Sequence, residues 1–500
     1  MKKTSIILIL CMLFAVLACG TTNTGNDDNN GIIPPTPPPG KTFRAGASAR
    51  SILPPANMNV KGGRTVVESP SDSIYAKSLL LDDGNTKLLF VVLDLTSLDH
   101  YVTKVAKESI NRRTGIPTKN IMISCTHTHS SIYAVRYAGY QTVPIDECVW
   151  ENWELNDYQA FVVNQITKSA AAALSNLEPA QIGWGKAEVP QWVFNRRYRM
   201  KNATQTTPWG EKEYVHCNPP TLHPDIIEPV GPVDPEVTFI SVKSIKGHPL
   251  ALFASFPPHY PADIPTPYVS ADYYGVFAKE IQTFLKAEKQ ETPFVGAITI
   301  GTCGNLNAIN RMASRPSGNL REQMGFDVAR GVYNAYTKLE HKSWVQLDVA
   351  QSVVKLAARK VTDPAQLEYA QFLLDRRSQG LPYLNHRLEI GYAQQVFRMR
   401  KCWPDVLDIT LQAFRIGDLA AVAIPFEVFV ETGLSIKQKS PFEGTYINSL
   451  SNGAFGYLPT EQQHELGGYE TWIALSNRVE KSAATKIEAE VLNLLGELNK

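Results

Sequence analysis

The sequence has no excess of charge of either sign. Its 500 residues include 49 Lys and Arg against 48 Asp and Glu, which gives a formal net charge of +1. Proteins that bind nucleic acid through their overall charge carry a clear basic surplus, and disordered acidic chains carry the opposite surplus. Neither class fits. A composition that is 44% hydrophobic and 19% charged instead indicates a globular protein with a large core.

Cysteine is also scarce, with seven residues in the chain, so a disulfide scaffold is excluded. The common signatures of hydrolases and nucleotide-binding proteins are missing as well. The sequence contains no GxSxG elbow and no HExxH zinc motif, and its glycine-rich segment 301–307 lacks the Gly-Lys-Ser/Thr ending of a phosphate loop. After the amino terminus, no segment approaches the roughly 18 apolar residues that a membrane helix requires.

The amino terminus has the pattern of a bacterial lipoprotein signal. Lys2 and Lys3 precede a nearly continuous apolar run, and this run closes on Leu-Ala-Cys-Gly with Cys19. The order predicts a signal peptide over residues 1–18 and lipidation of Cys19. The alternative is a plain secretory peptide with an incidental cysteine. Residues 19–40 are polar and then rich in proline, which predicts a flexible tether carrying the lipidated Cys19.

These features predict a cell-envelope lipoprotein, with the outer membrane preferred and the protein facing the periplasm or the surface. Cleavage would remove Lys2 and Lys3 and leave the mature chain near neutrality. Membrane attachment would therefore rest on the lipid anchor. In an oxidising envelope Cys148 and Cys217 could form a disulfide, although sequence alone does not fix the connectivity.

The body of the chain alternates strand-like apolar runs with amphipathic helical stretches. The sequence predicts strands over 74–81, 88–95, 120–125, 235–256 (a hairpin turning at 246–247), 293–300 and 406–423 (two strands turning at 417–418). It predicts helices over 100–113, 158–177, 271–287, 320–339 and 482–498. No internal repeat is visible and no linker follows residue 40. We therefore predict one large α/β domain with a mixed sheet over residues 41–500.

Polar segments that directly follow predicted strands are the candidates for a functional site. The first is Thr-His-Thr-His-Ser with His127 and His129, because residues i and i+2 at a strand end face the same side and can present two imidazoles to one metal. The second is His259, just beyond the strand that ends near 256. Each histidine could equally belong to an ordinary loop.

Two further strand ends carry reactive groups. Cys303 lies in the glycine-rich segment 301–307 and could be a nucleophile, although a small packing residue is the favoured reading because no neighbouring feature argues for a low thiol pKa. Glu427 follows an apolar strand, where a buried carboxylate needs a metal or an ion-pair partner. An ion pair is the default interpretation of Glu427 taken alone.

In this order the segments resemble the catalytic domain of the neutral (neutral/alkaline, non-lysosomal) ceramidases. The resemblance runs from Phe-Arg-Ala-Gly-Ala at 43–47, through Asp94 and the histidine motif, to Tyr469-Glu470. It implies a single large mixed-sheet domain and a hydrolase that uses a zinc-activated water to cleave the N-acyl bond of ceramide.

The resemblance also implies roles for individual residues. The zinc ligands would be His127, His259, Glu427 and Tyr457. His129 would lie beside the metal and shuttle a proton to the leaving amine, while Arg196 and Tyr469 would stabilise the oxyanion of the tetrahedral intermediate. Two imidazoles, a carboxylate and a phenol oxygen are acceptable donors to Zn²⁺.

The sequence departs from the family pattern at four points, and one of them is Ser131-Ile132-Tyr133 after the histidine motif, where the family has a small, glycine-rich turn. Asn307 stands where the family has a serine at the catalytic centre. It is a candidate catalytic residue because asparagine can hydrogen-bond a carbonyl or an oxyanion, but it can neither act as a nucleophile nor pass a proton. Arg197 replaces the serine of the Asn-Arg-Ser motif. The short stretch after Tyr469 leaves no room for the family's carboxy-terminal immunoglobulin-like domain.

These observations leave three hypotheses. The first is a lipid-anchored zinc hydrolase acting on a ceramide-like lipid or on another amide or ester. The second, motivated by Asn307, is a non-catalytic binding lipoprotein that keeps the fold. The third is a structural envelope lipoprotein, which would leave the four potential ligands unexplained. The expected partners are a small-molecule or lipid substrate and the membrane, and no nucleic acid.

Overall fold

The structure is a computed structural model. It describes residues 40–58, 60, 63–65, 73–135 and 149–500. The predicted signal peptide, Cys19 and nearly all of the predicted tether lie outside the described residues. Within the described residues no helix combines the length and apolar character needed to cross a membrane.

The strands alternate with helices along most of the chain. In chain order the strands are β1 (Arg44–Ser51), β2 (Tyr75–Asp82), β3 (Lys87–Leu93), β4 (Ile121–Cys125), β5 (Glu178–Glu188), β6 (Phe194–Asn195), β7 (Arg197–Met200), β8 (Gln205–Thr206), β9 (Lys212–Glu213), β10 (Val215–Cys217), β11 (Ile226–Pro229), β12 (Glu236–Ser244), β13 (Pro249–Phe256), β14 (Val295–Ile300), β15 (Leu306–Asn307), β16 (Leu347–Ala357), β17 (Val406–Ile416), β18 (Leu419–Ala423), β19 (Glu427–Val428), β20 (Gly444–Asn448) and β21 (Tyr457–Leu458).

The helices lie mostly where amphipathic periodicity predicts them. They are α1 (His100–Thr114), α2 (Asp157–Ser175), α3 (Asp272–Phe284), α4 (Leu320–Tyr336), α5 (Pro364–Ser378), α6 (Glu389–Cys402), α7 (Val430–Lys439), α8 (Glu461–Glu465) and α9 (Ala483–Leu498). Local signals account for their ends. Asn156 and Gln159 form a reciprocal capping box at the start of α2, and Gly115 ends α1 in the left-handed conformation.

The largest sheet has eight strands in the order β14-β13-β12-β5-β1-β2-β3-β4. Its outer pairs, β13 with β14 and β3 with β4, are parallel, and the strands between them are antiparallel. Thr299 of the edge strand β14 donates its hydroxyl to the carbonyl of Cys125 at the end of the opposite edge strand β4, at 3.3 Å. The sheet is therefore curled, and its two edges approach each other where β4, β13 and β14 end.

A second sheet, β16-β17-β18-β20, packs against the first. Apolar residues of both sheets, including Phe90, Phe253 and Phe414, form one buried cluster between them. Helices α1 and α2 pack on the outer face of the large sheet near β2 and β3, and α3 and α4 pack near β13 and β14. Helix α9 covers the second sheet from outside. The fold is thus a mixed α/β arrangement of helix, sheet, sheet and helix layers, which confirms the predicted class.

Several elements escaped the sequence analysis. Strand β5 reads Glu-Pro-Ala-Gln-Ile-Gly-Trp-Gly and lacks a regular alternation. It nevertheless pairs along its length with β12, and its Gly183 and Gly185 leave the space that the side chains of Leu339 and Phe239 occupy. The sequence analysis also did not predict the helices α5 and α6. Their buried apolar residues pack in a small cluster apart from the main core.

The proposed pairing of Cys148 with Cys217 is wrong for Cys217, which is a free thiol. Cys402 is disulfide-bonded instead. Cys148 lies outside the described residues. Cys217 lies at the end of β10, beside the buried residues Arg196 and Glu470. Which cysteines come close enough to bond depends on the tertiary structure, and the sequence alone does not show it.

Candidate active site

The curl of the large sheet brings two strand ends together. The chain leaves β4 at Cys125 and reaches His127 two residues later, and it leaves β13 at Phe256 and reaches His259 three residues later. Both histidines are about 4% exposed. Residues that lie 132 positions apart in sequence therefore meet over the edge of the sheet, and their ring centroids are 4.8 Å apart.

The histidine motif is a loop and not a continuation of the strand. His127 has a φ of 68°, in the left-handed region that non-glycine residues rarely adopt. The loop is held by hydroxyls: Thr96 donates to the carbonyl of Thr128, and Thr128 donates to the carbonyl of Ser270. His127 and His129 converge because of this turn, with ring centroids 4.6 Å apart, and not because of the two-residue period of a strand.

Both buried imidazoles have a fixed tautomer. Nδ1 of His127 donates to the carbonyl of Thr96 at 2.7 Å, and Nδ1 of His259 donates to the carbonyl of Leu306 at 3.0 Å. A carbonyl oxygen can only accept, so Nε2 of each neutral ring is left without a proton. Burial and the Arg196 cation lower the pKa of His259 to about 4, which keeps this ring neutral near pH 7.

The Nε2 atoms of the two rings face each other. Nε2 of His127 lies 3.1 Å from Nε2 of His259. When both rings are neutral, their lone pairs at this distance repel each other unless a positive group lies close to both. A backbone carbonyl on Nδ1 and a free Nε2 are also the arrangement that metal-binding histidines adopt. The donor chemistry of this pair therefore fits a divalent metal ion.

A carboxylate completes a three-residue cluster. Glu427 lies on β19, and its Oε2 atom is 3.5 Å from Nε2 of His127 and 3.3 Å from Nε2 of His259. The same oxygen is buried and has no hydrogen-bond partner among the described residues. A buried carboxylate oxygen without a donor is costly. A cation between the two imidazoles and this oxygen would remove that cost.

Tyr457 is the neighbour of Glu427 in a short parallel ladder, since β19 pairs with β21 and Glu427 is opposite Tyr457. Its ring is buried and lies beneath the guanidinium of Arg196, 5.3 Å from centroid to Cζ. Burial and the Glu427 carboxylate raise the pKa of Tyr457 well above its usual value. The phenol is therefore protonated unless a metal ion or another cation displaces the proton.

His129 and Cys303 lie at the edge of the same cluster. Nε2 of His129 is 3.2 Å from Nε2 of His127, so His129 is a further candidate ligand as well as a candidate proton carrier. The thiol of Cys303 can form a group with His259 and Glu427. Burial raises the pKa of Cys303 well above its usual value, so the thiol is neutral, which suits a packing residue better than a nucleophile.

Arg196 reaches the cluster from the far side of Tyr457. Its Nη1 atom donates to Nε2 of His259 at 3.2 Å, and its Nη2 atom donates to the carbonyl of Gly304 at 2.7 Å. Its Nε atom donates to Glu470 at 3.0 Å. All three nitrogens of the guanidinium are engaged, so this cation is fixed beside the histidines.

The sequence analysis missed the group that holds Arg196. The carboxylate of Glu470 accepts from Arg196 with one oxygen and from Arg197 with the other, the second bond being 2.7 Å long. Arg197 and Glu470 are fully buried, and Nε of Arg197 also donates to Gln463. The only available signal was the pair of adjacent arginines, because two neighbouring cations need an anion if both are buried.

A cavity of about 370 Å³ opens onto the cluster. His127, His129, Glu427 and Tyr457 contribute to its wall, together with Tyr469, whose ring lies 5.9 Å from that of Tyr457. Apolar side chains form other parts of this wall: Val135, Leu450, Ala454 and Leu475.

Asn307 lies next to the cluster but faces another way. It pairs with His259 through a β-bridge, yet its Nδ2 donates to Asn218 at 3.0 Å and its Oδ1 accepts from the backbone of Ile309 at 3.2 Å. Asn307 is not one of the described residues that form the cavity wall. Its amide therefore stabilises the loop after β15.

The cluster contains groups that could hold a metal ion, and it lies in a layered α/β fold. Residues 71–315 match the family model for the N-terminal domain of the neutral/alkaline non-lysosomal ceramidases, which confirms the resemblance seen in the sequence.

Solved structures agree at the level of the fold. A ceramidase complexed with C2 superimposes with a TM-score of 0.64 at 16% identity, covering 92% of this chain and 75% of that chain. The neutral ceramidase from Pseudomonas aeruginosa gives a TM-score of 0.61 at 16% identity, covering 92% and 74%. No curated protein matches the sequence. Family model and fold together support a ceramidase-type hydrolase.

Proposed function

We propose that the protein is a zinc-dependent amidohydrolase that cleaves the N-acyl bond of a ceramide-like lipid. The observation that carries this proposal is the convergence of the Nε2 atoms of His127 and His259 and the Oε2 atom of Glu427 within 3.5 Å of one another. Both imidazoles are fixed in the metal-binding tautomer, and the carboxylate oxygen has no donor within the described part of the chain.

His127, His259, Glu427 and Tyr457 would hold the ion. Nitrogen and oxygen donors in this number suit Zn²⁺, and a deeply buried set that opens onto a cavity on one side suits a catalytic centre. A zinc ion bound there would supply an electrophile that polarises the scissile carbonyl and makes a water molecule acidic near neutral pH.

The protein's own groups would perform the remaining steps. Arg196 is fixed by Glu470 and Gly304 beside His259 and is not among the described residues of the cavity wall, so its cation would stabilise the developing negative charge on the carbonyl oxygen through the electrostatic field of the site. Tyr469 would donate a hydrogen bond to the same oxygen from the cavity wall. His129, exposed at the cavity, would take up the proton that the attacking water loses and deliver it to the leaving amine.

The cavity supports a substrate with both apolar and polar parts. Val135, Leu450, Ala454 and Leu475 would contact an acyl or alkyl chain, whereas the cluster would face the amide. A ceramide-like lipid fits this division, and other N-acyl lipids or esters are the alternatives. Lipidation at Cys19 would place the enzyme at the cell envelope, where such substrates lie in the membrane.

Metal analysis of the purified protein tests the proposal directly. We expect about one zinc per chain in the wild type, and loss of that zinc in His127→Ala and in His259→Ala. Chelation should lower the melting temperature of the wild type and leave that of the two variants unchanged, because a ligand that binds only the native state stabilises it. His248→Ala, which changes an exposed histidine, is the control.

Activity is tested with fluorogenic N-acyl sphingosines, other N-acyl lipids and simple esters. Release of fatty acid by the zinc-loaded wild type, and its loss in His127→Ala, would support the proposal. A wild type without stoichiometric zinc would refute the metal mechanism. A zinc-loaded protein inert toward every amide and ester would indicate a binding protein.

A further inference from the structure

The hairpin formed by α5 and α6 carries an exposed apolar and basic surface. Its apolar members are Phe372, Leu381, Tyr383 and Leu384, which are 38–49% exposed. Arg376, Arg377 and Arg387 belong to the same segment. We call these seven side chains the hairpin patch. Residues 364–388 contain only two acidic residues, Glu368 and Asp375, against the three arginines.

Several members of the hairpin patch contact one another or residues of the same hairpin. The guanidinium of Arg377 lies over the ring of Tyr383 at 5.2 Å, and Nε of Arg376 donates to the carbonyl of Pro382 at 3.4 Å. Phe372 lies against Tyr369, with ring centroids 5.9 Å apart. The hydroxyl of Tyr369 accepts from the amide of Asn385 at 2.7 Å. Helix α5 and the loop after it therefore form one surface.

The loop that bears most of the apolar residues is held in place. Glu389 is only 1% exposed, and its carboxylate accepts the backbone N–H groups of Leu384, Asn385 and His386. This buried anion fixes the loop backbone, so Tyr383 and Leu384 are presented to solvent by a defined structure. Apolar side chains held together in water are a feature of surfaces that bind a partner or a membrane.

The hairpin patch is linked to the catalytic cavity. The ring of His386 packs edge-on against Trp472 at 5.6 Å, and Trp472 packs against Tyr469 at 5.7 Å. Tyr469 and Gln395 of α6 both line the cavity. Gln395 also accepts the backbone N–H of Leu475, another cavity residue. A series of aromatic contacts thus connects the loop that bears Tyr383 and Leu384 with the wall of the cavity.

We propose that the hairpin patch docks the protein on a lipid bilayer that contains anionic headgroups, so that the substrate enters the cavity from the membrane. This inference rests on the proposed function, because it assumes a lipid substrate. The arginines would bond lipid phosphates, and Phe372, Tyr383 and Leu384 would enter the interface, where aromatic and aliphatic side chains of this kind gain free energy. A lipid on Cys19 would tether the chain, whereas the hairpin patch would orient it.

The test uses the full chain with Cys19→Ala, so that no amino-terminal lipid contributes, and vesicles of phosphatidylcholine with or without phosphatidylglycerol. Hydrogen exchange of residues 379–388 should slow when vesicles containing phosphatidylglycerol are added. Phe372→Ser/Tyr383→Ser/Leu384→Ser should partition onto these vesicles about tenfold more weakly than its parent. Arg387→Gln should weaken partitioning about fivefold at low salt.

The matched control is Leu222→Ser/Ile245→Ser/Val353→Ser, which removes three side chains that are 52–65% exposed elsewhere on the surface. This control should partition like the parent chain. Equal partitioning of both triple variants, or unchanged exchange of residues 379–388 with vesicles, would overturn the docking proposal. Hydrogen exchange is measured on the parent chain, which carries no substitution in the hairpin. The test therefore remains decisive even if a triple variant fails to fold.

Activity separates the two proposals. If both hold, the hairpin triple variant hydrolyses a short-chain, water-soluble N-acyl substrate at the parent's rate and loses activity only toward substrate in vesicles. An inert parent that still protects residues 379–388 on vesicles would refute the enzyme and support docking. An active parent in which vesicles leave the hydrogen exchange of residues 379–388 unchanged would support the enzyme and refute docking.

Discussion

Arg197 and Glu470 form an ion pair that has no exposed surface on either side chain, with 2.7 Å between Nη1 and Oε2. The second oxygen of Glu470 accepts from Arg196, which in turn donates to His259. Arg197 thus acts on the candidate active site through Glu470. The positive charge of Arg197 helps to hold the Glu470 carboxylate in the position from which it binds Arg196.

Arg197→Ser should destabilise the protein by about 3–5 kcal/mol, because it leaves a buried carboxylate with one partner fewer and removes the donor to Gln463. Urea unfolding measures this loss. Arg199→Ser is the matched control on the same strand: Arg199 is 45% exposed and pairs with Glu228, so its loss should cost less than about 1 kcal/mol. Equal losses for the two variants would contradict the assignment.

His129→Ala should lower the rate of amide hydrolysis by about 100-fold, as expected for the loss of a proton donor. Zinc content should stay near that of the wild type, because His127, His259 and Glu427 remain. Parallel measurements of kcat and of bound zinc test this, with His248→Ala as the unaffected reference. Zinc lost together with activity would make His129 a ligand instead of a proton carrier.

Asn307→Ser should change activity by less than about tenfold, because the Asn307 amide is bonded to Asn218 and Ile309 and does not line the described cavity wall. It should cost about 1 kcal/mol of stability through the lost hydrogen bond. Asn218→Gly removes the partner without backbone strain, since Asn218 has a φ of 52°. A double-mutant cycle then measures the coupling between the two residues. A new or greatly increased ceramidase activity in Asn307→Ser would contradict this reading.

Because Lys107 is buried, we expect the free energy of unfolding to depend on pH. Burial lowers its pKa from 10.5 to about 7, and its Nζ donates to Gln412 at 3.3 Å. Between about pH 7 and pH 10.5 the unfolded chain binds more protons at this residue than the native protein does. The lysine's contribution to stability therefore rises with pH in this window, by about 1 kcal/mol per pH unit.

Lys107→Met should remove this slope and should stabilise the protein most near pH 7, as measured by urea midpoints across the window. Lys104→Met changes an exposed lysine of the same helix and should keep the slope of the wild type. Identical slopes in the wild type and in Lys107→Met would show that the Lys107 amine is not desolvated.

Much of the fold could be predicted because its strongest elements carry their own periodicity. Strands β2, β3, β12, β13 and β14 and helices α1, α3 and α9 follow the apolar patterns closely. Strand β5 and helices α5 and α6 could not be predicted in this way. Their positions are set by packing on Leu339 and Phe239 or within a small satellite cluster, and local pattern does not encode such contacts.

For the candidate site, too, the sequence predicts some features and the tertiary structure decides others. By itself the sequence determined which residues could bind a metal, because imidazole, carboxylate and phenol groups after apolar strands are costly without a partner, and their joint order matched one family. Only the tertiary structure decided how they meet. The curled sheet brings His127 to His259, backbone carbonyls fix their tautomers, and Glu470 holds both arginines. It also turned Asn307 away from the cavity and left Cys217 unpaired. These outcomes depend on contacts between residues far apart in sequence, and no local pattern specifies them.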